Sequence, residues 1–565
     1  MEYIIFCLAV VIAMIILFIS GILDNKKKTK LFIIKLKSQY GTFAKKTYKQ
    51  EQYDSIARYY LTHLKQAGEK EISHIDDITW NDLEMDQLFK MMNITYSSAG
   101  EEYLYYSLRT PKYHLQDMQK LEEMVRYFDE NEKERVTFQL ICNKLGKTGK
   151  FSIFDYLMYL DTLGERNNLK HICMDALFIP AIMSIFMNTA VGICALILIF
   201  CINIVTYFKE KEKIAPYISS FLYVMRLLNG VDQLQKAGLK GIQEYTKILK
   251  QRRNEFRKFK RFSGLVMADS NATGNPMELI LDYIKMIFHI DIIKFNSMLS
   301  ELKLHTDAVD GIVTTIGYLE TAIAIANYRK ALQYYCIPQF EQQIAVHARD
   351  IYHPYISDPV VNSIRAEKGI LLTGSNASGK STFLKTIALN AITAQTIHTA
   401  SARSFHTVFF SIYSSMSLRD NLASGESYYM VEIRALKRIL DVMQYEGKPL
   451  LCFVDEVLRG TNTVERIAAS TQILKSLAGK NVLCFAATHD IELTNLLKEE
   501  YDNYHFTEDV IDGDVLFSYQ LLPGCATTRN AIKLLETIGY RSDIIRTAEH
   551  LAEGFIKTGK WDTIL

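Results

Sequence analysis

A stretch of small and polar residues between two apolar runs, "LLTGSNASGKSTFL" at 371–384, has the composition of a phosphate-binding loop. Gly374, Gly379, Lys380 and Ser381 fit the spacing G-x-x-x-x-G-K-[ST], in which backbone N–H groups surround phosphate oxygens. Lys380 is expected to reach the terminal phosphates and the Ser381 hydroxyl to take one Mg²⁺ position. The alternative is a glycine-rich turn with an incidental lysine.

The residues on both sides of this loop favour the phosphate-binding interpretation. "KGILLTG" before it predicts a short buried strand, and "STFLKTIALNAITAQ" after it predicts a helix from its apolar spacing. The phosphates would then meet a helix N-terminus, where the dipole and unpaired N–H groups attract anions.

Two further apolar runs end in residues that could act on a phosphate. "KPLLCFVDEV" ends in Asp455 and Glu456, and "NVLCFAATHD" leads to His489. Buried parallel strands would deliver all three side chains to the phosphate edge of one sheet. We expect Asp455 to face Mg²⁺, Glu456 to deprotonate the attacking water, and His489 to contact the γ-phosphate. Together with the loop, this pattern predicts an ATP hydrolase.

Composition limits the other possibilities. The chain has 565 residues, 49% of them hydrophobic, and a formal net charge of +2, so no overall charge favours a polyanionic partner. Its nine cysteines form no C-x-x-C pair, which is typical of reduced thiols and not of a disulfide framework or a zinc site.

The N-terminal residues predict a membrane helix. Tyr3 to Leu23 is uncharged, long enough for a bilayer crossing of about 20 residues, and followed by Lys26, Lys27 and Lys28. The positive-inside rule places these lysines in the cytoplasm. A cleaved signal peptide ending near Ser20 and Gly21 is the alternative.

A second uncharged block covers the 33 residues from Ala176 to Phe208. That length fits two short spans, with a turn near Asn188 and basic residues outside both ends. We expect a hairpin with both ends in the cytoplasm, giving three spans and a cytoplasmic ATP site at the cell membrane. One long tilted helix, or a buried hairpin of a soluble domain, is the alternative.

Two charged segments with helical spacing predict long surface helices or levers, at 116–136 and 232–262. The second contains a basic patch, which consists of Lys250, Arg252, Arg253, Arg257, Lys258, Lys260 and Arg261. A solvated helix face would explain it, and so would contact with the phosphates of a nucleic acid or lipid.

Four motifs in order resemble the ATPase domain of the MutS family of DNA mismatch-repair proteins, a branch of the ABC-type ATPases. They are "GSNASGKST", "DNLASGESYYMVEIRAL", "VDEVLRGTNT" and "AATHDIEL". "DLEMDQLFKMMNITYSSAGEEYLYYSLRTP" is similar to the start of that family's helical core, and "GYLETAIAIANYRKALQYYCIPQF" to its last lever helix.

The resemblance implies roles for individual residues. Ser427 within "SGES" matches a signature serine that reaches the γ-phosphate held by a partner subunit, which implies a homodimer joined through the ATPase domains; a simple helix N-cap is the alternative. Tyr519 stands where the family often has an adenine-stacking histidine. The ATP-binding residues so implied are Gly374, Ser375, Asn376, Ala377, Ser378, Gly379, Lys380, Ser381, Thr382 and Tyr519.

The fold class expected is an α/β P-loop ATPase domain preceded by an all-α region with transmembrane helices. The expected divisions are a transmembrane helix at 1–23, a cytoplasmic helical region at 24–170, a transmembrane hairpin at 171–208, a lever region at 209–340 and the ATPase domain at 341–565.

We expect the resemblance not to extend to the family's mismatch-reading N-terminal domain and DNA clamp, because the predicted N-terminal span precedes the helical core and the second uncharged block stands at the place of the clamp. Three functions therefore stay open: an ATP-driven conformational switch at the membrane with a protein or lipid ligand, a DNA-binding repair ATPase, and a transport ATPase. Few spans and no charge within them disfavour transport.

Overall fold

The computed structural model describes residues 20, 23–68, 73–149, 151–160, 164, 166–260, 283–375, 378–416, 428–445, 447–458, 461–511, 514–526, 532, 535, 539–558 and 561. The chain divides into two compact units. The first comprises the described residues of Met1–Gly68, Asn93–Tyr106 and Met124–Asn327, and the second those of Glu69–Met92, Ser107–Glu123 and Tyr328–Leu565. The N-terminal span predicted at 1–23 lies almost wholly outside the described residues.

The regular secondary structure among the described residues of the first unit is all helical. Its α-helices are 23–39, Gln50–Ile56, Arg58–Ala67, Glu132–Leu145, Ile153–Tyr159, Leu169–Ala176, Phe178–Met187, Thr189–Ala237, Gln243–Asn254, Arg257–Lys260, 283–287 and Ile290–Leu304, and Lys240–Ile242 forms a short 3-10 helix. Three more helices have residues in both units: Ser98–Arg109, Leu115–Glu130 and Thr306–Ala331.

The segment predicted as one helix at 232–262 is interrupted. The helix Thr189–Ala237 ends at Gly238, which adopts the left-handed conformation with φ 62° and donates its N–H to the Leu234 carbonyl. Glycine takes this conformation without a Cβ penalty, so it stops a helix that the apolar spacing alone would continue. The segment at 116–136 is likewise divided, at Asn131, between Leu115–Glu130 and Glu132–Leu145.

Three described helical stretches are long and apolar enough to cross a membrane, judged by length and composition alone: Leu169–Met187, Thr189–Ala215 and Thr306–Ala331. The third is 72% buried within the protein and behaves as a core helix. In it Glu320 accepts hydrogen bonds from the Tyr96 and Ser97 backbone N–H groups, at 2.6 and 3.3 Å. The first two stretches are separated at Asn188, whose backbone is extended and interrupts the helix.

The second unit contains all ten described strands. They are β1 (Gln339–Phe340), β2 (Val346–Ile351), β3 (Asn362–Ala366), β4 (Gly369–Thr373), β5 (Ser404–Thr407), β6 (Ser411–Ser415), β7 (Leu450–Asp455), β8 (Val482–Ala487), β9 (Tyr501–Ile511) and β10 (Asp514–Pro523). Its helices are Asp77–Asp82, Met85–Met92, Lys380–Ile397, Tyr428–Tyr445, Thr463–Ser476, Glu492–Leu496 and Ser542–Thr558.

The larger sheet has the order β10-β9-β4-β8-β7-β6, and only β10 runs antiparallel to its neighbour. Every residue of β4 and β7 is buried, as expected for parallel strands covered on both faces. The predicted strands at 368–374, 448–457 and 481–490 are thus confirmed as β4, β7 and β8. A smaller sheet has the order β1-β5-β2-β3.

The helix Lys380–Ile397 follows β4 directly and is buried along nearly its whole length. Its apolar side chains belong to the core of the second unit, so the predicted helix at 381–395 is also confirmed. The sheet and this buried helix fix the position of the loop that joins them.

Candidate functional site

The loop between β4 and the helix Lys380–Ile397 requires glycine at two places. Gly374 has φ 143° and Gly379 has φ 108°, a backbone region that residues with a Cβ rarely adopt. A Cβ at Gly379 would also lie 3.1 Å from the Tyr519 ring. The two glycines of the predicted phosphate loop are therefore fixed by local geometry.

Lys380 lies folded over its own loop. Its Nζ donates to the carbonyl oxygens of Gly374 at 2.8 Å and Ser375 at 2.7 Å. The Ser375 hydroxyl donates to the carboxylate of the buried residue Glu508, on β9, and the Ser378 N–H lies 3.4 Å from the Ser375 carbonyl. Contacts within the loop and a contact to β9 thus hold the loop in this conformation.

The carboxyl ends of β7 and β8 bring the predicted acidic residues beside this loop. Asp455 is paired with Ala487 across the two strands, and the Glu456 N–H donates to the Ala487 carbonyl at 2.9 Å. Glu456 has φ 57°, an unusual conformation for a residue with a side chain. Its Oε1 lies 2.6 Å from Nε2 of His489, and the same nitrogen lies 3.5 Å from Lys380 Nζ.

Residues that the sequence analysis did not single out hold this edge in place. Arg466 forms two hydrogen bonds to the carboxylate of Asp490, at 2.9 and 2.6 Å, next to His489. The carboxylate of Glu432 accepts the Leu458 N–H, just beyond Glu456. The quoted motif "AATHDIEL" contains Asp490, but Arg466 lies three residues beyond the quoted motif "VDEVLRGTNT", so no motif pointed to the first pair.

Tyr519 lies on a bulge of β10, where the pairing with β9 shifts between Phe517 and Leu521. Asn362 holds this bulge, since its Nδ2 donates to the Tyr519 carbonyl at 3.0 Å and its Oδ1 accepts the Leu521 N–H at 2.8 Å. Tyr519 has φ 53° and its side chain is 43% exposed beside Gly379. The backbone that carries an exposed aromatic side chain is therefore held next to the loop.

A cavity of about 530 Å³ connects these groups. It is lined by Ile351, His353, Ile356, Asp358, Pro359, Val360, Asn362, Ser375, Gly379, Lys380, Ser381, Thr382, Phe383, Thr386, Glu456, Phe506 and Tyr519. Its size is that of a small-molecule site. One part of its wall is apolar and aromatic, and the other part consists of loop polar groups, Lys380 and Glu456.

His353 in the cavity wall is a neutral imidazole. Burial, followed by the positive charge of Lys385, lowers the pKa of His353 from 6.5 to about 4. Its Nδ1 lies 3.3 Å from the Tyr355 backbone N–H, from which it accepts a hydrogen bond, and this assigns the ring proton to Nε2. The group therefore presents a donor at neutral pH and no charge.

The structure brings together most of the residues predicted from the sequence: Gly374, Ser375, Gly379, Lys380, Ser381, Thr382, Tyr519, Asp455, Glu456 and His489 belong to the loop, the cavity wall or the adjoining strand ends. Ser378 is buried within the loop. Asn376, Ala377 and Ser427 lie outside the described residues. Among the residues that the structure does describe, there is no group of three or more histidine, cysteine or acidic side chains able to hold a metal ion.

The parallel sheet, the glycine loop leading into a buried helix and the acidic strand end define a class of protein, the mixed α/β domains with a glycine-rich loop between a strand and a helix. A comparison with protein families matches residues 370–555 to MutS domain V. The match assigns residues 370–555 of this chain to the MutS domain V family.

Individual relatives agree with the family match. The chain is 29% identical over 271 residues to the DNA mismatch repair protein MutS of Thermus aquaticus, which covers 46% of this chain and 33% of that protein. It is 30% identical over 274 residues to the protein of the same name from Lactobacillus acidophilus, with 46% and 31% covered. For Pseudothermotoga lettingae the values are 31% over 235 residues, with 40% and 29% covered. The matches thus span about a third of each relative.

Proposed function

We propose that the second unit binds ATP with Mg²⁺ in the cavity beside the glycine loop and hydrolyses the bond to its γ-phosphate. The observation that carries this proposal is the line of contacts from Lys380 Nζ through His489 Nε2 to Glu456 Oε1, at 3.5 and 2.6 Å. A cation, an imidazole and a carboxylate lie in series at the polar end of a cavity of suitable size.

Each of these groups has a role that its chemistry allows. The loop N–H groups and the N-terminus of the helix Lys380–Ile397 favour bound phosphate oxygens. Lys380 exchanges its present carbonyl acceptors for phosphate oxygens, which are stronger acceptors because they are charged. Glu456 takes the proton of the attacking water, and His489 fixes the carboxylate that does so.

The donor set near the loop suits Mg²⁺. The Ser381 hydroxyl and the Asp455 carboxylate offer the hard oxygen ligands that Mg²⁺ prefers, and such sites use one or two protein oxygens together with substrate phosphates. When bound, Mg²⁺ neutralises charge that develops on the phosphate oxygens. Ser381 and Asp455 are the residues that would hold it.

The other end of the cavity suits a nucleotide base. Ile351, Ile356, Val360 and Phe383 provide apolar wall, and the Tyr519 ring offers a face for stacking. Because Asn362 holds the backbone of the bulge, the point from which the Tyr519 ring extends is fixed before the base binds.

Equilibrium binding of a fluorescent ATP analogue to the Lys380→Ala protein tests this proposal. We expect a loss of affinity of at least 10-fold, because a charge-assisted hydrogen bond contributes about 1.5–3 kcal/mol. Lys437→Ala is the matched control, since Lys437 lies on an exposed helix face and pairs with Asp441, four residues further along the same helix. Equal affinity of the Lys380→Ala and wild-type proteins would contradict the proposed site.

We further propose that hydrolysis requires two copies of the chain, with Ser427 of each reaching the ATP of the other. The support is the resemblance of "SGES" to a signature that acts between subunits. A donor supplied by a second subunit can stabilise charge in phosphoryl transfer. The same dimer could move the helical unit as a conformational switch.

DNA is the second ligand that we consider, because the relatives carry the name DNA mismatch repair protein. The basic patch is partly neutralised within the protein: Arg253 Nε lies 2.7 Å from Asp232, and Arg252 lies 3.7 Å from Glu255. Comparing ATP turnover of the full chain with duplex, mismatched, branched and single-stranded DNA tests this. Stimulation by one form supports a DNA ligand, and the same rate with all forms and with no DNA argues against one.

A further inference from the structure

The hairpin formed by Leu169–Met187, Asn188 and Thr189–Ala215, called the apolar hairpin below, exposes large apolar side chains on both of its arms. Phe186 and Met187 near its tip are 87% and 90% exposed, and Met183, Ile197, Leu198 and Phe208 are more than half exposed along its two arms. Only 11% and 17% of the residues in the most apolar parts of its two arms are buried. Soluble surfaces rarely carry so large a contiguous apolar area.

The apolar hairpin leaves little polar surface open. Its backbone is helical in both arms, and the Ser184 hydroxyl donates to the Ala181 carbonyl at 2.8 Å. At the turn, the Asn188 side chain accepts the Val191 N–H at 3.3 Å. The arms approach closely at Gly192, where a Cβ would lie 2.5 Å from the Ile185 backbone nitrogen. Polar groups surrounded by hydrocarbon must form their hydrogen bonds within the protein, as these groups do.

A polar layer closes the base of the apolar hairpin. The Asn203 Nδ2 donates to the Ile287 carbonyl at 2.9 Å and lies 3.4 Å from Asp175, on the other arm. His289 contacts the Asn203 carbonyl through Nε2 at 2.9 Å, and its Nδ1 lies 3.2 Å from Nδ1 of His171. The first polar contacts between the arms below the tip thus occur at Asp175 and Asn203.

The position of this layer sets the depth of the apolar part. Asp175 and Asn203 lie 13 and 15 residues from Asn188, or about 20 Å along a helix at about 1.5 Å per residue. The uncharged part of the first arm, Ala176 to Met187, has 12 residues and is about 18 Å long. The hydrocarbon core of a bilayer is about 30 Å thick. Two full crossings would draw Asp175 into the core.

We propose that the apolar hairpin enters one side of a lipid bilayer and turns back inside it, so that Asn188 stays within the hydrocarbon and both ends emerge on the same side. The inference does not depend on the ATP site. It replaces the two short spans expected from the uncharged length alone, because the 33 uncharged residues divide unequally at Asn188.

A lipid bilayer is the occupant that the surroundings of the hairpin favour. A protein partner would cover one face, whereas here both arms expose apolar residues on the sides that do not pack against each other. Lys170 and Lys209 are exposed at the base, one on each arm, where anionic lipid head groups would meet them. The exposed lysines therefore lie at the base of the hairpin, where the uncharged part of each arm ends.

The full chain reconstituted in sealed vesicles tests the proposal. All nine cysteines are replaced by serine and one cysteine is returned, either as Met187→Cys at the tip or as Leu304→Cys, a control residue that is 72% exposed outside the hairpin. A membrane-impermeant maleimide is applied outside or trapped inside. A second preparation carries a fluorophore at the same cysteine and lipids brominated on their acyl chains.

We expect the cysteine at position 187 to react at least 10-fold more slowly than the one at 304 from either side, and its fluorophore to be quenched by the brominated lipids. Reaction only from the side opposite Leu304→Cys would show a full crossing and overturn the proposal. Protection without quenching would show cover by protein, including a second copy of the chain. Equal reaction at both positions would show a hairpin in water.

Discussion

Glu456 and His489 are in direct contact, with Glu456 Oε1 and His489 Nε2 2.6 Å apart at the carboxyl edge of the larger sheet. The contact holds Glu456 while its backbone has φ 57°, a conformation that costs energy for a residue with a side chain. The same nitrogen lies 3.5 Å from Lys380 Nζ. The His489 imidazole therefore lies between the Glu456 carboxylate and the Lys380 ammonium group. The arrangement predicts that His489 affects the chemical step more than binding.

Replacement of His489 by alanine tests that expectation. We predict that ATP turnover by His489→Ala falls by about 100-fold, as for the loss of one fixed donor at a transition state, while ATP affinity changes by less than 5-fold. His550→Ala, which alters an exposed histidine of the same unit, should turn over normally. A purely structural role would lower the melting temperature and affinity together with turnover.

Arg466 should act through His489 as a positioning residue. Its two hydrogen bonds to Asp490 tie the helix Thr463–Ser476 to the segment that carries His489. We predict that Arg466→Ala lowers kcat by about 10-fold with little change in KM, because a displaced His489 affects the transition state more than bound substrate.

A matched control exists for the Arg466 substitution. Arg541 also bonds Asp543 through two nitrogens, at 3.1 and 2.6 Å, but this pair is exposed. Arg541→Ala should therefore leave kcat unchanged. The positioning role would be refuted if Arg466→Ala and Arg541→Ala had the same kcat.

A partly buried ion pair in the second unit predicts how stability depends on pH. Arg329 bonds both carboxylate oxygens of Glu122 at 2.8 Å, and His398 lies 3.2 Å from the same carboxylate. Burial alone would raise the pKa of Glu122, but the hydrogen bonds from His398 and Arg329 outweigh it and lower the pKa from 4.5 to about 2. Folding therefore favours the ionised form.

The stabilisation from Glu122 is complete above pH about 4.5 and is lost as the pH falls toward about 2. We predict that Glu122→Gln lowers the free energy of unfolding at pH 7 by about 3 kcal/mol, since it leaves Arg329 buried without its charge partner. Denaturant unfolding at pH 7 and pH 3 measures this, and the difference between the two proteins should shrink at pH 3. An equal difference at both pH values would contradict the assigned pKa.

Action of Ser427 between subunits predicts complementation. Ser427→Arg and Lys380→Ala proteins should each be inactive, and a mixture should regain activity, because one of the two composite sites then has both wild-type residues. Turnover of a mixture shown to contain heterodimers measures this. If such heterodimers stay inactive, Ser427 acts within its own chain or only caps the helix Tyr428–Tyr445.

The elements of the site followed from local pattern. β4, β7 and β8 are short apolar runs with turn residues at their ends, and the glycine spacing of 374 and 379 matches two backbone conformations that need glycine. The local sequence preferences therefore agree with the position that the sheet gives these segments. For this reason the sequence alone predicts that Lys380, Asp455 and Glu456 lie together.

Residues far apart in sequence were harder to foresee. The Asn362 clamp on Tyr519 joins residues separated by 157 positions, and no periodicity records such a contact. The end of the long helix at Gly238 and the unequal arms of the apolar hairpin are also set by single residues, Gly238 and Asn188, within segments whose overall pattern is uniform. Pattern predicts the type of element, whereas these positions decide where it stops.

ATP turnover by Glu456→Gln, measured together with ATP affinity, tests the central claim most directly. The amide keeps the shape of the carboxylate and cannot accept the proton of the attacking water, so we predict near wild-type affinity and a loss of turnover of at least 100-fold. Normal turnover by Glu456→Gln, with ATP bound at the wild-type level, would contradict the assignment of this site as the place of hydrolysis.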